Sequence, residues 1–535
     1  DSGNLTVKSD NTFAGDVEIK HASSTLTIDV STTSTFSSGL QFTDGTITNN
    51  GTISGTLLDI DKTVTIGGAI TSATIDIASG AKLSHTLLVG EATVTVEGSG
   101  ILTSANLNDA DSILKLNGVT VETVTVSTGS NDNKGIETET TAATIDTLTL
   151  TGGTEINTGS QLTITNALTL NSYLTKRGAG TLHTESTTAI GDTIVIEEGS
   201  WTQASTNDGA DGKITINTDG DLQMDTHNTF AGDVQVNGGT LSINKIDDPA
   251  DTSDPPAQIN TISTFSSGLQ FSSGTITNAG TISGALDIGG SVTIGGTVST
   301  TSVNIASEAT LTHGLVVGAN TVTVEGGGTL TAATLDNVAS LLKLDGVTVS
   351  AVNVNTLSNA NKGIETVNND VTITTLTLTE GTEINVPDTK TLTITNALTV
   401  AKNVTKKGAG TLLTSGTTTI SANTFTVGAG SWTQAVDATG KITLSGGTLD
   451  DLVGNTFAGD VQVNGGTFQT TDTKTSTFSS GLQYTSGTIT NNGTIEINGA
   501  GANFKLNKDL TLDETLKITN GTIYDSTWTH TLTIT

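Results

Sequence analysis

The sequence predicts an all-β protein, folded as a β-solenoid of the right-handed parallel β-helix type. Three observations predict it: short strands of alternating pattern, glycine-rich turns between them, and a long internal repeat. The chain has 535 residues, of which 62 are glycine and 4 are proline, and only 3% are aromatic. Val, Ile and Leu nevertheless recur throughout, whereas disordered chains lack such residues. The composition therefore favours an ordered repeat protein over a disordered or collagen-like chain.

The short repeat is one strand followed by one turn. Apolar residues alternate with threonine, as in Leu26-Thr-Ile28, Val94-Thr-Val96 and Leu162-Thr-Ile164. This period of two is typical of a strand with one buried face. Turn signals such as Gly-Gly, Asn-Gly and Ser-Gly separate the strands. Short strands at this spacing fit tandem sandwiches or a solenoid. The scarcity of aromatic residues and the lack of linkers between copies favour the solenoid.

The long repeat divides the chain into three tandem copies within one continuous solenoid. Each copy contains the motif Asn-Thr-Phe-Ala-Gly-Asp-Val, which begins at Asn11, Asn228 and Asn455. Copy two carries a loop insertion near 245–258, which holds three of the four prolines, and proline is excluded from central strands. Copy three is shortened internally. The predicted copies span 1–227, 228–454 and 455–535.

Two segments carry a resemblance to a known family. Lys406-Lys-Gly-Ala-Gly-Thr-Leu412, followed by Gly428-Ala-Gly-Ser-Trp432, and the equivalent Lys176-Arg-Gly-Ala-Gly-Thr-Leu182 resemble the passenger-associated repeat of bacterial autotransporters. The resemblance implies a parallel β-helix displayed outside the cell, where family members serve as adhesins, protease passengers or spacers. It implies an extracellular or cell-surface location in a bacterium or archaeon.

Charge and composition exclude several classes of partner. The net charge is −32 and Arg177 is the single arginine, so nucleic acid is not expected as a partner, because phosphate neutralisation needs clustered cations. There is no apolar run of the length that spans a bilayer, so we expect no membrane insertion. The absence of cysteine excludes disulfides and thiolate metal sites.

No pattern of residues indicates catalysis. Enzymes of this architecture need clustered carboxylates or basic groups on one face. His85 and His313 occupy equivalent repeat positions, which indicates a structural role. Trp201, Trp432 and Trp528 are also repeat equivalents, and we expect them in the core or at a corner. The sequence therefore predicts a protein without catalytic residues or a cofactor.

Calcium is the one metal worth considering. Asn207-Asp-Gly-Ala-Asp-Gly212 offers the carboxylates of Asp208 and Asp211 in a tight turn, and calcium takes six to eight oxygen ligands. The segment matches neither the EF-hand spacing nor the glycine-rich nonapeptide repeat. A solvated acidic turn is therefore the favoured interpretation.

The two ends of the chain continue each other's repeat. Ile216 precedes Asn228 by twelve residues, and Ile534, counted through the end of the chain, precedes Asn11 by the same number. An uncovered solenoid end recruits further strands, and a head-to-tail contact that does not close gives a filament. We therefore expect a head-to-tail homopolymer whose interface holds Asp1, Asn4, Leu5, Thr6, Val7, Trp528, Leu532, Thr533, Ile534 and Thr535.

A second function class stays open at this point. The chain is alternatively an adhesin or passenger fragment of a longer bacterial cell-surface protein, with surface carbohydrate or a cell receptor as its partner. The matching ends would then be the repeat continuing along a longer chain. A carbohydrate-active enzyme is disfavoured by the single arginine and the few aromatic residues.

Overall fold

The fold is a stack of parallel strands, and the residues that the structure describes form no helix. A computed structural model describes residues 3–203, 212–247, 251, 253, 256–435 and 437–535. Over these residues the strands form a β-solenoid of about 26 turns, which confirms the predicted fold class. Within the same ranges, no helix has the length and apolar character needed to cross a membrane.

The described residues form 54 strands, numbered here in chain order. The first 27 are β1 (Asn4–Val7), β2 (Asn11–Phe13), β3 (Val17–Ile28), β4 (Thr33–Phe36), β5 (Leu40–Asn49), β6 (Thr52–Ile60), β7 (Val64–Thr65), β8 (Ala69–Ile77), β9 (Lys82–Val89), β10 (Thr93–Gly98), β11 (Ile101–Leu107), β12 (Ile113–Asn117), β13 (Thr120–Val126), β14 (Gly135–Thr138), β15 (Ala143–Leu150), β16 (Thr154–Thr158), β17 (Leu162–Leu170), β18 (Leu174–Arg177), β19 (Thr181–Thr184), β20 (Thr187–Ile190), β21 (Ile194–Gln203), β22 (Ile214–Met224), β23 (Asn228–Phe230), β24 (Val234–Ile243), β25 (Lys245–Asp247), β26 (Gln258–Asn260) and β27 (Ile262–Asn278). The others are β28 (Thr281–Ile288), β29 (Val292–Thr293), β30 (Thr297–Ser299), β31 (Ser302–Ile305), β32 (Thr310–Val317), β33 (Thr321–Gly326), β34 (Thr329–Leu335), β35 (Leu341–Asp345), β36 (Thr348–Val354), β37 (Gly363–Thr366), β38 (Val371–Leu378), β39 (Thr382–Asn385), β40 (Thr391–Val400), β41 (Val404–Lys407), β42 (Thr411–Thr414), β43 (Thr417–Val427), β44 (Ser431–Gln434), β45 (Ala438–Leu444), β46 (Thr448–Asp451), β47 (Thr456–Phe457), β48 (Val461–Thr470), β49 (Thr475–Phe478), β50 (Gly481–Asn491), β51 (Thr494–Leu506), β52 (Leu510–Leu512), β53 (Thr515–Asp525) and β54 (Leu532–Ile534).

The chain divides into two compact units. Unit 1 runs through Gly284 and includes Gly295–Thr297, and unit 2 holds Ala285–Ile294 and the chain from Val298 onward. The division falls inside predicted copy two, so the units are not the three sequence copies, which stay a sequence prediction.

In unit 1 each turn has three faces, visited in the order A, B, C. The first strands on each face define the names used below. Face A starts with β1, which pairs in parallel register with the end of β3. Face B starts with β2, which pairs with β4. Face C starts with the first residues of β3, which pair with the start of β5.

In unit 2 the repeat motifs identify the same three faces. The Asn-Thr-Phe and Ser-Thr-Phe motifs lie on face B, where Phe457 pairs with Phe478, as Phe13 pairs with Phe36 in unit 1. The last face B strand is the first half of β53 and the last face C strand is its second half. β52 follows face C and precedes face B, so it occupies face A, and β54 pairs with it there.

The core consists of ladders of inward-facing side chains, each stacked on its equivalent one turn away. Alternate residues of the strands point inward, and most inward Val, Ile and Leu side chains are fully buried. The Phe13 and Phe36 rings stack with centroids 5.1 Å apart, and those of Phe457 and Phe478 at 5.2 Å. The alternation of apolar residues with threonine therefore reflects one buried face, as the sequence predicted.

The predicted insertion in copy two begins and ends as an antiparallel ribbon. β25 pairs with β26 in antiparallel register. On face B, Asn228 pairs with Ser263, 35 residues further on, whereas the equivalent Asn11 pairs with Ser34, 23 residues further on. The face B ladder thus continues in parallel register from one side of the insertion to the other.

Candidate functional site

The first turn of unit 1 presents a face A strand with one occupied edge. β1 pairs with β3, and no other described strand pairs with it. Val7 is buried, but Leu5, which also points toward the core column, is 38% exposed, and Asn4 and Thr6 are exposed. On face B, Phe13 is half-buried, and its ring stacks on that of Phe36. At the first turn, the stacks of inward-facing side chains on faces A and B therefore end in residues that are partly exposed.

The last turn of unit 2 leaves core-type side chains exposed. On face B, Ile497 is fully buried and Ile518, its ladder partner one turn later, is 38% exposed. On face C, Phe504 is fully buried and its partner Ile523 is 48% exposed. These inward-facing positions are covered in the preceding turns by another strand. Within the described residues, the last turn thus presents apolar side chains on strands that pair on one edge.

β54 extends this surface on face A. The N–H of Leu510 donates to the carbonyl of Thr531, and the N–H of Thr535 donates to that of Leu512, both at 2.9 Å. Leu532 is half-buried and Ile534 is 51% exposed, while Thr533 and Thr535 are exposed. β54 therefore pairs on one edge only within the described chain.

A hydrogen-bonded turn holds β54 in place. The carboxylate of Asp525 accepts hydrogen bonds from the backbone N–H groups of His530 at 2.8 Å and Thr527 at 2.9 Å, and from the Thr527 hydroxyl. Burial acts to raise the pKa of Asp525, but these hydrogen bonds outweigh it and hold the pKa well below its usual range. The N–H of Thr531 also donates to Asp509 at 2.7 Å. The turn that leads into β54 is thus fixed from both sides.

The structure decides between the two positions expected for the tryptophans, and it places Ile534 on a different face from its sequence counterpart. Trp201 and Trp432 lie in the core, and each Nε1 donates to a buried threonine hydroxyl. Trp528 was expected in the core or at a corner, and it is excluded from the core because it is 85% exposed, with a φ of 55°. It lies in the tight turn between β53 and β54 and not on a strand. Ile534 lies on face A, whereas its sequence counterpart Ile216 lies on face C.

Three residues named by the sequence analysis lie outside the described residues: Asp1, Asp208 and Asp211. The structure therefore gives no geometry for the calcium candidate. Across the described part of the chain, no three His, Asp or Glu side chains lie together as metal ligands.

The paired histidines have matching structural surroundings. Nδ1 of His85 lies 2.9 Å from the carbonyl oxygen of Ile66, and Nδ1 of His313 lies at the same distance from that of Ile294. Burial lowers the pKa of both histidines. Each imidazole therefore serves as a hydrogen-bonding group in a turn of the solenoid.

Sequence reasoning missed two buried lysines. Lys176 and Lys406 are fully buried at equivalent places. The Lys176 ammonium donates to the carbonyls of Arg177, Gly178 and Glu198, each at 2.8 Å. The signal was present in the repeated Lys-(Arg/Lys)-Gly-Ala-Gly-Thr-Leu motif, in which a cation precedes a glycine turn. The motif therefore encodes the closure of a turn.

Comparison with protein-family models, with curated proteins and with solved structures finds no match to this chain. The resemblance to autotransporter passenger repeats thus gains no support from these comparisons.

Proposed function

We propose that this chain is a non-catalytic structural subunit that assembles head to tail into an extracellular filament. The last turn of one copy stacks on the first turn of the next, and the strand ladders continue across the joint. Main-chain hydrogen bonds supply affinity in such strand addition, and alternating side chains set the register.

One observation carries the proposal: the core columns of the last turn end in exposed apolar side chains. Ile518 and Ile523 belong to columns whose preceding members, Ile497 and Phe504, are fully buried. By the repeat motifs, the first turn of another copy would place Phe13 over Ile518 and Val17 over Ile523. Both pairs are apolar, so the contact would bury side chains that each copy leaves partly in water.

The test is a substitution on the last turn. Ile523→Lys leaves the chain folded, because the side chain is already half exposed, but it places a charge inside the joint. Losing the burial of one isoleucine costs about 1.5–3 kcal/mol, and each 1.4 kcal/mol is about a tenfold change in affinity. We therefore expect at least about a tenfold rise in the concentration needed for assembly, measured by sedimentation velocity and negative-stain microscopy.

The matched control is Leu88→Lys. Leu88 is 55% exposed on β9 in unit 1, away from the first turn, and this variant should assemble like the parent. A parent chain that stays monomeric at every concentration would contradict the proposal and favour the adhesin or passenger alternative.

A further inference from the structure

β1 and β54 carry the same face assignment, each within its own unit. β1 is the first face A strand of unit 1, and β54 is the last face A strand of unit 2. A continuous solenoid visits faces A, B and C in turn. A face A strand at the end of one copy should therefore be followed by a face B strand, but the next copy begins with face A again.

The repetition creates a conflict in the joint. If the ladders on faces B and C continue without a gap, β2 of the second copy pairs with the first half of β53, and Val17–Ile19 pairs with its second half. β1 of the second copy then falls on the position that β54 already occupies. Stacking β1 on top of β54 avoids this overlap. It leaves a gap of one strand spacing, about 4.8 Å, on faces B and C, between β53 of one copy and β2 and β3 of the next. The backbone groups on both sides would then stay unpaired.

The sequence of β54 fits the position of β1. Thr531-Leu-Thr-Ile534 is identical to Thr25-Leu-Thr-Ile28, the part of β3 that β1 covers. The same tetrapeptide occurs at Thr391–Ile394, also on face A, where strands pair with it on both edges. In that ladder position threonines stack on the outside and apolar side chains stack in the core.

We propose that copies join by strand exchange: β54 of one copy pairs with β3 of the next and displaces its β1. This inference rests on the proposed function and specifies its joint. β54 is the strand that stays, because the Asp525 turn and the bond from Thr531 to Asp509 hold it. β1 and β54 each have one ladder partner among the described strands, and β1 is the strand that leaves, since the structure shows no turn like that of Asp525 holding Asn4–Val7 in the described chain.

Engineered disulfides distinguish the possible joints. The chain has no cysteine, and adjacent parallel strands lie within the Cα separation of about 4.4–6.8 Å that a disulfide spans. Strand exchange places Thr533 beside Thr27 of the next copy. Stacking without exchange places Thr533 beside Thr6, and the reverse exchange, in which β1 displaces β54, places Thr6 beside Thr511. The three double-cysteine variants are T27C/T533C, T6C/T533C and T6C/T511C.

We expect T27C/T533C alone to give a ladder of covalent multimers on a non-reducing denaturing gel after mild oxidation. Multimers from either of the other pairs, or from none of them while sedimentation shows assembly, would overturn the exchange and leave the proposed function standing. If the parent chain does not assemble, both the strand exchange and the proposed function are contradicted.

A fourth variant tests the displacement of β1 directly. In the free chain Thr6 pairs with Thr27, so oxidised T6C/T27C ties β1 to β3 within one copy. We expect oxidation before assembly to slow filament growth at least tenfold and a reductant to restore it. Unchanged growth of the oxidised variant would overturn the exchange, because neither other joint requires β1 to leave β3.

Discussion

At the scale of single residues, the buried lysines show how the turns are closed. Lys406 donates to the carbonyls of Gly408 at 2.6 Å, Ala429 at 2.9 Å and Gly410. Gly430 packs against this ammonium with a φ of 63°, and a Cβ there would lie 2.3 Å from the Lys406 Nζ. The cation thus binds three carbonyl groups of the turns, and the cost is the removal of its charge from water.

This cost predicts how the stability of the chain depends on pH. Burial lowers the pKa of Lys406 to about 8, whereas in the unfolded chain a lysine keeps its proton to about pH 10.4. Between these values the unfolded state binds more protons, so the free energy of unfolding rises with pH. We expect the parent to gain stability over Lys406→Met as the pH increases from about 8 to about 10, measured by urea unfolding.

Two comparisons check this lysine prediction. Lys402→Met removes an exposed lysine that lies just before β41. The free energy of unfolding of this variant should depend on pH as that of the parent does. A constant difference between the parent and Lys406→Met across this window would contradict the assignment of the titration to Lys406. At neutral pH, Lys406→Met should itself be less stable by about 1–3 kcal/mol, since buried carbonyls lose their donor.

At the scale of elements, the Gly-Thr-Ile turns require glycine at one position. Gly45, Gly274 and Gly487 have φ values of 120°, 109° and 101°. A Cβ at Gly487 would lie 2.1 Å from the carbonyl oxygen of Gly466. The glycine therefore allows two consecutive turns to approach within one strand spacing, which no other residue does at this φ.

Gly487→Ala should accordingly destabilise unit 2. Left-handed strain costs about 1–3 kcal/mol, and the contact with the Gly466 carbonyl adds to it. Gly314→Ala is the matched control, because its Cβ would meet nothing within 4 Å and it should shift stability by no more than about 0.5 kcal/mol. Thermal unfolding, with hydrogen exchange of 481–491 as a local readout, measures both. Equal effects of the two substitutions would contradict the argument.

The sequence predicts these elements well and the end of the chain less well. The alternation of apolar residues with threonine, as in Thr25–Ile28, depends only on which face of the strand is buried. The strands and the solenoid could therefore be predicted from the sequence. The face on which β54 lies depends on the length of the preceding turn. Trp201 is followed by a long segment before β22, whereas Trp528 is followed closely by β54. Repeat alignment matched the tryptophans but did not register this difference, so it left both the core and a corner open for Trp528 and matched Ile534 with Ile216, which lies on another face.

At the scale of the whole molecule, contacts are local and charge is shared by the entire chain. Most ladder pairs join strands one turn apart, so each turn is stabilised by its immediate neighbours. When another copy is added, the turns on the two sides of the joint would stabilise each other as neighbouring turns do within one copy. The net charge of −32 is different, because it acts between copies over a distance set by the salt concentration.

Assembly should therefore become more favourable as salt increases. The Debye length falls from about 30 Å at 0.01 M to about 8 Å at 0.15 M ionic strength, which weakens the repulsion between two strongly acidic copies. The joint itself is apolar at Ile518 and Ile523, so screening removes little attraction from it. We expect a lower concentration threshold for assembly at 0.15 M NaCl than at 0.01 M, measured by sedimentation velocity. Ile523→Lys should keep a higher threshold than the parent at both salt concentrations, which separates assembly from precipitation by salt. A threshold that rises with salt would instead mean that ion pairs hold the copies together.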